Sequence, residues 1–125
     1  MTQKKAETQE KKIEKALAKW QNKHASILGG VQVKYDILFI EDPDTEQIYF
    51  GAFRELDFKT YKSVFKNFDL EDGGKPDLIG MGDAILTKCQ IMVDEAITLK
   101  PSLRASMCIS LANKIKIANV GFIKK

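Results

Sequence analysis

The stretch VQVKYDILFIEDPDTEQIYFGAFR, residues 31–54, decides the fold. Val31, Val33, Tyr35, Ile37 and Phe39 alternate with Gln32, Lys34, Asp36 and Leu38. That two-residue period is the mark of a strand with one apolar face, and Leu38 and Ile40 give the other face some burial. Glu41 to Glu46 has the chemistry of a turn, because Pro43 presets the backbone and the Asp side chains bond locally. Gln47 to Arg54 reads as the return strand. The connection is too short for a parallel crossover, so the pair is an antiparallel hairpin. Two strands alone are not stable in water, so helices must cover them.

Upstream, residues 1–9 are polar and mixed in charge, and are expected to form a flexible tail. From about Lys12, Ile13, Ala16, Leu17 and Trp20 recur at helical spacing. That helix should stop near Ser26, ahead of Gly29-Gly30. Downstream, Asp57 is a good N-cap for a second helix, whose stripe Phe58, Tyr61, Val64, Phe65 and Phe68 is expected to face the core. Residues 69–77 form a turn-rich loop. Ile79 to Thr98 reads as one third helix, with Asp77 as its cap and Gly80 and Gly82 weakening its first turn. Pro101 opens a fourth, carrying Leu103, Met107, Leu111 and Ile115, with Lys114 and Lys116 suiting its C-terminal dipole. The expectation is an α+β fold: an N-terminal helix, an antiparallel β-hairpin, then three helices. A single domain should cover 10–118, followed by a basic tail at 119–125.

The chain has 125 residues, of which 44% are hydrophobic and 30% charged, an ordinary balance for one globular domain. No apolar run is long enough for a membrane helix, so no membrane partner is expected. The first residues do not resemble a secretory signal. Two cysteines and one histidine exclude a zinc finger and a disulfide-dense scaffold. The net charge of +3 hides a segregation. Residues 1–25 carry a net +4 and residues 100–125 a net +6, the latter without a single acid, while residues 26–99 carry a net −7. Either the basic ends meet a charged partner, or they pair with the acidic middle of this chain or of a second copy.

No constellation specifies chemistry. His24 has no second histidine, and no Ser or Cys at a spacing that makes a triad. Cys89 and Cys108 fall on apolar helix faces and read as small core residues. The 69–77 loop fails as an EF-hand, because Gly73 and Gly80 occupy positions that need ligands. Asp42, Asp44 and Glu46 read as a solvated turn before a cation site. Gly80-Met81-Gly82 lacks the Lys-Ser/Thr of a phosphate loop, and Asp83 would repel phosphate. The aromatics of the second helix sit at core spacing rather than as a stacking platform. No enzymatic activity, metal or cofactor is expected.

The order of elements resembles a group of small bacteriophage proteins of the tail assembly chaperone-like and virion-associated kind. The resemblance is carried by Ile48-Tyr49-Phe50-Gly51-Ala52-Phe53-Arg54, by Asp57-Phe58-Lys59-Thr60-Tyr61, and by Met81-Gly82-Asp83-Ala84-Ile85-Leu86-Thr87-Lys88-Cys89 with Asp94. It covers roughly residues 10–116 and departs from the pattern in a longer N-terminal helix and a more basic end after Leu99. Such proteins bind the long, helix-rich tape measure protein and keep it soluble until the tail tube grows around it. The resemblance therefore implies a non-enzymatic phage protein acting in the host cytoplasm, with tape measure or other virion proteins as partners. The expected contact elements are the hairpin edge, the helix around Trp20, and the C-terminal tail, through Trp20, Tyr49, Phe53, Arg54, Phe122 and Ile123. Two alternatives stay open. One is a permanent virion component, such as an auxiliary capsid or head–tail joining protein. The other is an accessory protein that binds nucleic acid weakly through its basic termini. A homo-oligomer is compatible with either.

Overall fold

The computed structural model describes residues 2–66, 77–115 and 120–123. The elements are α1 (Thr2–Lys23), α2 (Ala25–Leu28), β1 (Tyr35–Glu41), β2 (Ile48–Arg54), α3 (Phe58–Phe65), α4 (Leu78–Cys89), β3 (Gln90–Val93), α5 (Glu95–Leu99) and α6 (Pro101–Ala112). The α+β class, the leading helix and the antiparallel hairpin are as the sequence indicates. Phe68, Lys116, most of the 69–77 loop and the last two lysines lie outside the described residues.

The sheet has three antiparallel strands in the order β1-β2-β3, with Leu38 opposite Gly51 and Ala52 opposite Met92. β3 corrects the reading of Ile79–Thr98 as one helix. After Cys89 the backbone turns extended at Gln90, and the chain pairs with Gly51, Ala52 and Phe53. Asp94 closes the strand: its N–H donates to the Phe50 carbonyl at 3.0 Å, and its carboxylate accepts the Phe50 N–H at 2.7 Å. Met92 and Val93 fit a helical period as well as a strand, so only this contact with β2 decides between them.

Both faces of the sheet are covered, and the burial expected of Leu38 and Ile40 on the second face is more extensive than one apolar face in β1 suggests. On one face α1 and α2 bury Trp20 and Leu28 against Phe50 and Ala52, with Tyr35, Ile37 and Ile91 beside them. On the other, Phe53 joins Val64, Ile85, Ile97, Met107 and Leu111, with Leu38 and Ile40 packed against them. Leu38 and Ile40 therefore belong to the principal core. Phe39, assigned to the apolar face, is 52% exposed, and Val33 precedes the strand and is exposed. α1 begins at Thr2 rather than near Lys12 and ends at Lys23, leaving Ala25–Leu28 as a separate turn of helix.

The caps follow the sequence. Asp57 accepts the Thr60 N–H at 2.8 Å and Asp77 the Gly80 N–H at 2.9 Å, and Pro101 occupies the first turn of α6. The α3 stripe is rotated from its expected setting. Thr60 and Val64 are buried, whereas Phe58 and Phe65 are exposed. Val64 packs with Ile85 and Leu111 in the principal core, and the buried Thr60 hydroxyl is satisfied by Asp57 at 2.7 Å. Gly82 has a role different from weakening a helix. It sits where α4 crosses α6, so close that a Cβ there would lie 1.7 Å from the Cys108 carbonyl oxygen. Cys89 and Cys108 are free and buried, as small core residues should be.

Among the described residues, the basic C-terminal end pairs with acids from the middle of the chain. Lys100 Nζ reaches Asp42 at 2.7 Å and Asp44 at 3.0 Å, Arg104 reaches Asp83 at 2.7 Å, and Lys114 lies 3.5 Å from Asp36. The acidic turn is thus not simply solvated. Asp42 is buried, and Lys100 is its cation.

Candidate functional site

A groove of about 480 Å³ lies between α1 and the start of α5, over the end of β2. Ala16, Trp20, Ile48, Phe50 and Ala96 contribute its apolar surface, Lys19 and Lys23 stand on the α1 side, and Asp94 and Glu95 on the α5 side. The groove exists because β3 is short. It pairs with β2 only as far as Gly51, and α5 then turns away, leaving Ile48 and Tyr49 uncovered by it.

Asp94 sets the width of this groove. Its Oδ1 accepts the Trp20 indole N–H at 2.8 Å while its Oδ2 holds the Phe50 N–H, so one carboxylate ties α1 to the central strand. Bonds of this kind to an ionised acceptor are worth about 1.5–3 kcal/mol each. The Trp20 ring also packs on Phe50, with centroids 5.6 Å apart, and edge-on to His24 at 5.1 Å. His24 thus supports the indole edge-on.

The six residues expected to touch partners are distributed unevenly. Trp20 and Tyr49 both line the groove, although the Tyr49 side chain packs on the principal-core face of the sheet. Trp20 is only 6% exposed, so it serves as a wall rather than as a projecting contact. Tyr49 is half-buried, its hydroxyl donating to Gln47 at 2.6 Å. Phe53 is fully buried, because its side of β2 faces the principal core, and as folded it offers no surface to a partner. Arg54 is spent internally, donating to the Lys88 and Glu55 carbonyls and pairing with Asp57. Phe122 and Ile123 are 97% and 88% exposed and do not dock on the domain. Asp94, Ile48 and Ala96 carry the groove but were not singled out as contacts. An acid following the apolar run Ile91-Met92-Val93 is the signal that marks Asp94.

Among the described residues, no group of three or more His, Cys, Asp or Glu could hold a metal ion. No helix there is long and apolar enough to cross a membrane. The perturbed ionisations belong to structural pairs. Hydrogen bonds from Lys100, then from the Asp44 N–H, hold Asp42 below the usual carboxylate range, and Asp42 and Asp44 in turn raise Lys100. Burial pushes the Cys108 thiol up, helped by the neighbouring Asp83 carboxylate. A buried, protonated thiol is a poor nucleophile.

Searches against protein-family models, curated proteins and solved structures find no match to this chain.

Proposed function

We propose that this chain is a non-enzymatic binding protein of phage assembly, working as a tail assembly chaperone does. It holds a helical segment of a larger virion protein, the tape measure protein above all, in the host cytoplasm and releases it during assembly. The observation that supports this reading is the groove between α1 and α5, whose apolar surface is built by Ala16, Trp20, Ile48, Phe50 and Ala96. Helix-in-groove binding needs an open apolar trough between rigid walls, and Asp94 fixes these walls. The resemblance of Ile48–Arg54 and Met81–Cys89 to phage chaperone segments points the same way.

Co-expression with the tape measure protein of the same genome tests the proposal. The expected result is a soluble complex, with the chain missing from finished particles. A tape measure protein that stays insoluble, together with many copies of the chain in purified virions, favours the permanent-component alternative.

A further inference from the structure

We infer that the groove is built for an acidic amphipathic helix, one whose apolar stripe is flanked by Asp or Glu on the side facing α1. This inference rests on the reading of the groove as a polypeptide-binding site. On α1, Lys12, Lys15, Lys19 and Lys23 recur every three or four residues and so form one stripe, beside the stripe of Ala16 and Trp20 that walls the groove. Glu10 and Glu14 fall on the opposite side of the helix. The stripe runs about 16 Å along the helix, enough to face three turns of a partner.

The basic residues near the C-terminal end and those along the groove differ in how they are matched. Lys100, Arg104 and Lys114 are each matched by an aspartate of the same chain. Lys15, Lys19 and Lys23 form no ion pair with any described residue, and Lys12 donates to the Glu46 carbonyl. Charge left unmatched along an apolar trough is complementary to an acidic flank. On the far wall, Asp94 is occupied by Trp20 and Phe50, and Glu95 adds a negative charge. That polarity fixes the acids of the guest on its α1 side.

The chain's own tail has the wrong sign for this site, since Phe122 and Ile123 are followed by Lys124 and Lys125. Nucleic acid fits less well than a polypeptide. The trough is apolar, Glu95 opposes phosphate, and the Trp20 ring is buried against Phe50 and cannot stack on a base.

Fluorescence anisotropy with two labelled amphipathic peptides of about 18 residues, one flanked by Glu and its twin by Lys, tests the inference. Lys15→Glu, Lys19→Glu and Lys23→Glu are combined in one variant, whose fold is checked by circular dichroism because all three side chains are exposed. The Glu-flanked peptide should bind the native protein and lose about thirtyfold in affinity to the variant, while the Lys-flanked twin prefers the variant. Equal binding of the twins, no binding of either, or undiminished binding to the variant overturns the inference. Duplex DNA that binds more tightly than the Glu-flanked peptide, and is lost in the variant, overturns it in favour of a nucleic-acid contact. The same variant separates this inference from the proposed function. If it still solubilises the tape measure protein as the native chain does, the charge assignment is wrong while the chaperone reading survives. If the native chain itself fails to do so, the chaperone reading is wrong.

Discussion

Replacing Gly82 by alanine should be among the most damaging single-methyl changes in this protein. On an isolated helix the same change would help, by about 1 kcal/mol. In the fold, the new Cβ would sit 1.7 Å from the Cys108 carbonyl oxygen, 2.3 Å from its carbon and 2.6 Å from the Cys108 Cα. These are backbone atoms in the middle of α6, so no side-chain rotation relieves the clash. Restoring ordinary contact requires α6 to retreat by roughly 1.5 Å, and a gap of even 0.5–1 Å forfeits a quarter to a half of the local dispersion energy. The packing at risk is that of Met81, Ile85 and Leu86 with Met107 and Leu111, which share one buried cluster. Overpacking of this severity exceeds the usual cost of about 1–3 kcal/mol. Less the propensity gain, the expected net loss is about 3 kcal/mol, or roughly 12 °C in melting temperature. Equilibrium urea unfolding of the native chain and of Gly82→Ala measures it. Gly30→Ala is the control, since a Cβ at that position meets nothing closer than 3.6 Å. A Gly82→Ala variant as stable as the Gly30→Ala control would refute the helix-crossing argument. Truncating the Cys108 side chain should not rescue the variant, because the obstruction is main chain.

Asp94→Ala should detach α1 from β2, removing acceptors from both the Trp20 indole and the Phe50 N–H; the expected loss is about 3 kcal/mol, with a red shift in the emission of the single tryptophan. Asp42 and Asp57 are both held below the ordinary carboxylate value, the first chiefly by Lys100 and the second by the Thr60 hydroxyl and N–H. Their folded-state values lie under the unfolded ones, so their stabilisation is complete above about pH 4 and drains away as the pH falls through the depressed values. Urea midpoints at pH 7 and pH 3 should therefore differ, and less so in Lys100→Met than in the native chain. Neither thiol should react with a thiol reagent under native conditions, since Cys89 and Cys108 are buried, and both should react fully in denaturant.

The parts of the fold visible in the sequence are those set by neighbouring residues. The hairpin follows from an alternating run and an apolar return run on either side of the Pro43 turn, and the starts of α3, α4 and α6 from Asp57, Asp77 and Pro101. The parts that were not visible depend on distant partners. β3 exists because Gln90–Val93 finds β2, which lies far away in the sequence. Asp42 is buried because Lys100, 58 residues later, reaches it. The aromatic stripe of α3 misled because hydrophobicity alone does not say which side of a short helix meets the core, and here it is the side of Thr60 and Val64. Of the candidate contacts, Trp20 and Tyr49 line the groove, whereas Phe53 is taken up by the core and Arg54 by the Glu55 and Lys88 carbonyls. Asp94 stands out in the sequence as an acid after an apolar run, but that it joins Trp20 to Phe50 is a long-range fact visible only in the fold.

Amide hydrogen exchange of the chain, alone and in complex with the tape measure protein, tests the central claim most directly. Binding in the groove predicts new protection at the C-terminal end of α1, at Ile48–Phe50 and at Asp94–Ala96, with α3 and the α4–α6 crossing unchanged. Protection confined to α3 or to the tail around Phe122, with the groove exchanging as in the free protein, would contradict it.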